Sequence, residues 1–175
     1  MGGYVALLRG VNVGGHRKVP MAALRDLAAA LGLENPRTYV ASGNLVFESG
    51  GSGAELEAML ERALEARFGF EVDVIVRSAA QWAGYRQGNP FPQESADTPN
   101  LVMIALGKQA PRQADVQALR AQAGPQERVE QVGDAIWIWF GGGAGRSKIG
   151  TGPARGVSTT RNWRTVVALD GMVNG

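Results

Sequence analysis

Residues 38–47 read TYVASGNLVF. Two short β-prone runs, 38–41 and 45–47, flank Gly43-Asn44, and both central residues tolerate positive φ, so the stretch predicts a tight hairpin. On its N-terminal side, residues 4–8 form a continuous apolar run, the pattern of a strand buried on both faces. Pro20 then suits a first helical position, Leu24, Leu27 and Leu31 follow at helical spacing, and Gly32 supplies a stop. On its C-terminal side, Ser52 and Glu55 make a capping-box pattern ahead of Leu56, Leu60, Leu64 and Phe68, with Gly69 closing the helix. Residues 72–76 complete a strand. The order βαββαβ is the split arrangement of a ferredoxin-like unit.

The pattern recurs. A short helix over 78–86, capped by Ser78 with Gln81, leads to a proline-broken loop through Asn89, Pro90, Phe91 and Pro92. Residues 101–106 read as a strand, and Val116, Leu119 and Ala123 mark a helix ended by Gly124-Pro125. Residues 128–132 then pair with 136–140 across Gly133-Asp134, 90 positions beyond Gly43-Asn44. The fold class expected is therefore α+β, with two ferredoxin-like βαββαβ halves, a duplication packed as one compact unit. The halves are placed at 1–77 and 100–175, with a helix and linker at 78–99. The second copy departs at 141–157, GGGAGRSKIGTGPARGV, where glycine and proline favour a shortened helix or an ordered loop. From Asn162 onward a terminal helix is expected, with Trp163, Val166 and Val167 inward, although 165–167 is equally strand-prone.

Composition narrows the function classes. A chain of 175 residues buries roughly 70% of its unfolded surface, enough for a core without staples. It contains no cysteine, which excludes disulfides, thiolate metal sites and cysteine nucleophiles. The N-terminal stretch lacks the basic start of a secretion signal, and no run approaches the roughly 20 apolar residues that span a bilayer. Position 6 is Ala6 where a myristoylation pattern wants Ser or Thr. The expected location is the cytoplasm, without membrane contact. Net charge is only +2, but residues 1–25 carry Arg9, Arg17, Lys18 and Arg25 without an acid. Residues 135–169 carry Arg146, Lys148, Arg155, Arg161 and Arg164, again without one. Two such stretches either are ordinary solvated faces or converge into a positive surface that favours phosphate or carboxylate partners.

The loop LLRGVNVGGHRK at 7–18 poses the sharpest question. It misses the dinucleotide pattern GxGxxG; against the P-loop it has Gly10 and Gly15 in place but His16-Arg17 for Lys-Ser/Thr. A strand, a glycine-rich turn and a helix start can still present N–H groups to an anion beside Arg9, His16, Arg17 and Lys18. Equally, glycine there can serve a turn that needs positive φ. Gly145 to Lys148 and the stretch STTRNW at 158–163 combine hydroxyls with fixed positive charge, again suited to oxyanions. Capping for Asn162 and core packing for Trp163 are the plain alternatives. Trp137 and Trp139 on the 136–140 strand offer either a stacking platform for single-stranded RNA or buried core.

Catalytic patterns are few. His16 is the only histidine, no GxSxG elbow occurs, and the acids gather into neither paired carboxylates nor metal-ligand spacing. No cofactor or metal is assigned. An enzyme would be of a group-transfer type acting on a phosphorylated or nucleotide substrate, by positioning and charge, with Lys18 or Lys148 and a carboxylate such as Glu48 or Asp134.

Taken together, ALLRGVNVGGHRKVPM, RTYVASGNLVF, RFGFEVDVIVRSA, GRSK and TTRNW closely resemble the bacterial family called domain of unknown function 1697, over nearly the whole chain. The resemblance implies an α+β fold of two similar halves and assigns no activity. By position it places signature polar residues at Arg9, Asn12, Gly14, Gly15, Lys18, Ser42, Asn44, Arg146, Ser147, Lys148, Thr160, Arg161 and Asn162. His16 stands where the family often has lysine, and GTGPARG at 150–156 is short where the family usually carries a helix, which affects the placement of Arg155. The expectation is a small phosphate-bearing or other anionic ligand in a positive cleft between the halves. A single-stranded RNA partner is the alternative, a structural or interaction module the third, and the oligomeric state is left open.

Overall fold

The structure, a computed structural model, describes residues 1–149 and 156–175. Its chain divides into two units, Met1–Gly84 with Ala168–Gly175, and Tyr85–Val167. In unit 1, β1 (Gly2–Leu8), α1 (Met21–Ala30), β2 (Glu34–Thr38), β3 (Asn44–Ser49), α2 (Gly53–Phe68) and β4 (Val74–Ser78) build an antiparallel sheet ordered β2-β3-β1-β4. Helices α3 (Ala79–Gln87) and α4 (Pro92–Asp97) follow. In unit 2, β5 (Val102–Gly107), α5 (Gln113–Gln122), β6 (Glu127–Val132), β7 (Ala135–Phe140) and β8 (Ser158–Asn162) give the matching order β6-β7-β5-β8. Helix α6 (Trp163–Asn174) leaves β8 as α3 leaves β4. The fold is α+β with two similar halves.

Alternation along the strands explains the core. Ala6, Leu8, Leu45, Phe47, Val74 and Val76 face the helices and pack with Leu24, Ala28, Leu56, Leu60 and Leu64. The fully buried leucines among them contribute roughly 1.5–3 kcal/mol each. The intervening Val5, Leu7, Val46 and Ile75 are buried as well, so residues 4–8 have no polar phase, as the continuous run requires. In unit 2, Ile136, Ile138 and Phe140 pack with Val116 and Leu119, while Ile104, Leu106 and Trp137 are buried on the alternate positions.

Helix ends follow their local chemistry. Ser52 and Glu55 form the reciprocal capping box of α2, and Gly69 closes it in the left-handed conformation. Ser78 and Gln81 exchange the same pair of bonds at the start of α3, at 2.8 and 3.2 Å. Asn162 Oδ1 accepts the Thr165 N–H at 3.1 Å, so the terminal helix begins at Trp163 and buries Val166 and Leu169.

One sequence reading needs correction, and the structure completes three stretches. The 38–47 stretch is not a two-residue hairpin: β2 ends at Thr38, β3 begins at Asn44, and the Tyr39 N–H donates to the Asn44 carbonyl at 3.0 Å. Asn44 is drawn into the sheet and buried, which lengthens the turn. Beyond the loop read through Pro92, residues 92–97 are helical, because Pro92 sits in the first turn and the buried Phe91 anchors the approach. Residues 158–162, read from the sequence only as a polar, cationic stretch, form a strand; the β-branched Thr159 and Thr160 pair in register with Leu106 and Ala105. Residues 141–149, part of the stretch expected as a shortened helix or an ordered loop, hold a single 3-10 turn, Ala144–Arg146, and the GTGPARG segment with Arg155 lies mostly outside the described residues. No helix among the described residues is long and apolar enough to cross a membrane.

Candidate functional site

Residues 9–20 connect β1 to α1 by two apolar pegs. Val11 and Val19 are buried in the unit 1 core, and residues 13–18 between them are exposed. Gly14 and Gly15 have φ of 57° and 76°, and the His16 N–H donates to the Val13 carbonyl at 3.0 Å. Two consecutive positive φ values with that bond describe a tight turn of the primed type, which requires glycine. With the Asn12 N–H donating to the Arg17 carbonyl at 3.0 Å, residues 12–17 are a miniature hairpin. The glycines therefore serve the turn.

Asn12 is the clamp of this loop. Its Oδ1 accepts the Val19 N–H at 2.9 Å, and its Nδ2 donates to the carbonyls of Val19 at 2.9 Å and Ala41 at 2.7 Å. Both amide hydrogens are thus committed to backbone, and the 9–20 loop is stitched to the turn before β3. Asn44, fully buried, donates from Nδ2 to the Tyr39 carbonyl at 2.8 Å and to Ser42 Oγ at 3.1 Å. Arg17 is anchored too, its Nε donating to the Gly10 carbonyl at 2.9 Å and its guanidinium lying 4.9 Å over the Phe70 ring. Arg9 lies 3.7 Å from Asp73 across an exposed surface, a pair of small net worth.

Lys18 remains outward. It borders a hollow of about 360 Å³ lined by Asn12, Gly15, Lys18, Val19, Pro20, Met21 and Ala41. Among the described residues, Lys18 is the one charged residue in that lining, and the wall formed by Val19, Pro20, Met21 and Ala41 is apolar. Three non-glycine positions around the hollow have left-handed backbone: Asn12 at φ 56°, Arg17 at φ 53° and Val40 at φ 50°. Asparagine tolerates this region, whereas for a β-branched residue it is a true outlier costing roughly 1–3 kcal/mol.

The remaining expected residues lie in unit 2. Ser147 Oγ donates to Glu127 Oε2 and accepts the Ile149 N–H at 3.0 Å, so it fixes the chain after the 3-10 turn. Arg146 and Lys148 are exposed on either side of it. Thr160 is half-buried in β8. Arg161 is buried, its Nη1 donating to Thr159 Oγ1 at 2.7 Å and to the Thr160 carbonyl at 2.8 Å. Desolvation pushes Arg161 down to about 10, so it remains a cation at neutral pH, but one turned into protein. Sequence reasoning missed its counterpart: Arg77, one residue before the end of β4, is also buried and donates to the Val76 carbonyl at 3.0 Å. The signal available was the pair Arg77-Ser78 and Arg161-Asn162, an arginine followed by a helix cap in each copy.

Other candidates are committed elsewhere. Asp134 accepts from the Tyr85 hydroxyl at 2.9 Å on both oxygens, and Glu48 accepts from Asn35 at 3.1 Å. Trp137 is fully buried against Trp163, ring centres 5.9 Å apart. Trp139 is half-buried beneath the Arg128 guanidinium at 5.0 Å. Trp137 is therefore closed to base stacking, and Trp139 carries Arg128 over its ring. A second hollow of about 400 Å³ borders the β5–α5 loop, with Lys108, Pro111, Arg112 and Asp115 in its lining; there Arg112 pairs with Asp115 at 3.2 Å. Among the described residues no group of three or more histidine, aspartate or glutamate side chains could hold a metal ion.

Comparison with known proteins places this arrangement. A family described as protein of unknown function, DUF1697, matches residues 1–137. The chain belongs to this family. The DUF1697 match takes in both stitched loops and the Lys18 hollow and ends within β7. A solved structure, the conserved bacterial protein SP0830 from Streptococcus pneumoniae, is similar to it at 24% identity. That likeness covers 100% of this chain and 99% of the other with a TM-score of 0.76; it shows a shared fold. No curated protein matches the chain.

Proposed function

We propose that this DUF1697 chain binds a small phosphate-bearing or other anionic ligand, held at Lys18 in the hollow of unit 1. The observation that carries the reading is a lining in which, among the described residues, the one charge is a lysine and no acid opposes it. The surrounding sequence supports it, since residues 1–25 contain no carboxylate side chain and the local field favours anions. Of the residues singled out by sequence, Lys18 supplies the contact, whereas Asn12, Gly14, Gly15, Ser42 and Asn44 shape the loops. Among the described residues, Arg146, Lys148 and Arg164 are the exposed cations of the other basic stretch.

Thermal shift and calorimetry with inorganic phosphate, nucleotides, sugar phosphates and carboxylates test this directly. A ligand at about 100 times its Kd adds roughly 2.7 kcal/mol of stability. Lys18→Ala should weaken binding at least about tenfold, the scale of one charge-assisted contact, without lowering Tm. Absence of any anion-dependent shift, or unchanged affinity in Lys18→Ala, would overturn the reading. Steep loss of affinity for a short RNA with rising salt would point instead to contacts with many phosphates.

A further inference from the structure

An open sheet ends in strands whose outer N–H and C=O groups have no ladder partner, and such an edge is a template for pairing with another chain. In the unit 1 sheet the edge strands are β2 and β4. β2 is broken as a template: Pro36 lies within it, Asn35 has φ 49°, and its register with β3 shifts between Glu34 and Arg37. β4 has no proline and no register shift. Its sequence VIVRS runs straight along β1, from Ser78 opposite Tyr4 to Val74 opposite Leu8, and Val74, Ile75 and Val76 are strong strand formers.

Side chains take the N–H groups at alternate positions of β4. The Val74 N–H donates to Glu61 Oε1 and the Val76 N–H to Glu57 Oε1, both at 3.0 Å, while the Ser78 N–H donates to Gln81 Oε1 at 2.8 Å. N–H groups two residues apart in a strand point the same way, and here that side is the outer one. The spacing is matched. Glu57 and Glu61 lie one helical turn apart, about 6 Å along α2, and Val76 and Val74 lie roughly 6.7 Å apart along β4. Leu56, Leu60 and Leu64 seat the same helix on the core, which leaves Glu57 and Glu61, both half-buried, to reach the edge. Water would satisfy an open N–H equally well; a carboxylate held on it denies it to another strand.

We infer that Glu57 and Glu61 guard β4 against strand addition, and that the strand they exclude is β4 of a second copy of this chain. Two β4 edges brought together antiparallel about a two-fold axis offer each other the same N–H and C=O groups, a self-complementary contact that needs no further partner. The edge is an interaction surface held closed by the protein's own side chains. Neither glutamate lines the Lys18 hollow, so the inference stands apart from anion binding.

Sedimentation velocity on the full chain compares wild type with the double variants Glu57→Ala/Glu61→Ala and Glu57→Gln/Glu61→Gln, from about 10 to about 500 μM. The alanine pair should associate beyond wild type, its mass rising with concentration toward about twice the wild-type value. The glutamine pair, whose Oε1 atoms can accept as Gln81 does, should follow wild type. Amide hydrogen exchange locates the contact: in the dilute alanine pair the Val74 and Val76 amides should exchange about tenfold faster than in wild type, the scale of one lost hydrogen bond, and concentration should restore their protection. An alanine pair that follows wild type at every concentration, or a glutamine pair that associates as readily as the alanine pair, overturns the inference. So does association accompanied by loss of protection throughout β1 and β3, which is aggregation of unfolded chain.

Discussion

The two hairpins of the duplicated halves occupy matching places and solve the same problem differently. In unit 2, Val132 and Ala135 pair directly across Gly133-Asp134; Gly133 has φ 59°, and a Cβ there would meet nothing within 4 Å. In unit 1, the chain spends residues 39–43 on the reversal. Gly43 closes the turn, its N–H donating to the Val40 carbonyl at 3.4 Å, and also lies against the core: its carbonyl accepts the Leu8 N–H at 2.8 Å, and a Cβ would sit 2.8 Å from both Leu8 and Val11. One glycine answers only to its own φ; the other answers to φ, 92°, and to a close approach of neighbouring side chains. The turn that borders the candidate site is the one built into the tertiary structure.

Substitution separates the two cases. Gly43→Ala adds left-handed strain to a clash with rigid core atoms and should cost about 3 kcal/mol, read as a lower urea midpoint. Asn12→Ala, which removes three bonds and the stitch to Ala41, should cost about 2 kcal/mol. Gly133→Ala carries strain without a clash and should cost about 1 kcal/mol. If Gly43→Ala and Gly133→Ala proved equal, the close approach of Gly43 to Leu8 and Val11 would have no energetic weight, and the contrast between the turns would collapse to backbone preference alone.

The same contrast explains what was legible in the sequence. Gly133-Asp134, the Ser52–Glu55 box and the Ser78–Gln81 box are local devices whose partners lie within a few residues, so pattern alone located them. Asn44 was read as a turn residue because its type suits a turn; that it is buried and holds the Tyr39 carbonyl follows from packing. β8 was missed for a related reason. Its sequence STTRN has no apolar alternation, and its pairing with β5 joins Thr160 to Ala105 and Asn162 to Met103, far apart in the chain. At the candidate site, Lys18 was visible by charge. The roles of Asn12, fixed by Ala41, and of Arg161, fixed by burial, were not, since a polar letter looks the same whether its partner is a ligand or a backbone carbonyl.

The smallest expected effect sharpens the comparison at the helix starts. Helix α2 begins on a reciprocal box, Glu55 Oε2 accepting from the Ser52 N–H at 3.0 Å and the Ser52 hydroxyl at 2.8 Å. Helix α5 begins at Gln113, after Arg112 at its N-cap, without a side-chain cap bond. The Ser52 backbone bond, then its hydroxyl bond, hold the Glu55 carboxyl below its ordinary 4.5. A carboxyl so lowered releases its proton more readily in the folded state, and the unfolded chain takes up the proton first as pH falls. Its stabilisation is therefore complete above about pH 4.5 and is lost as pH drops through the folded value. Glu55→Gln keeps an acceptor but not the charge, so wild type should exceed it in stability near neutral pH and the difference should narrow in acid. Urea midpoints measured from about pH 6 to pH 3 read this directly; a gap that stays constant over that range would mean that the Glu55 charge contributes nothing to the start of α2.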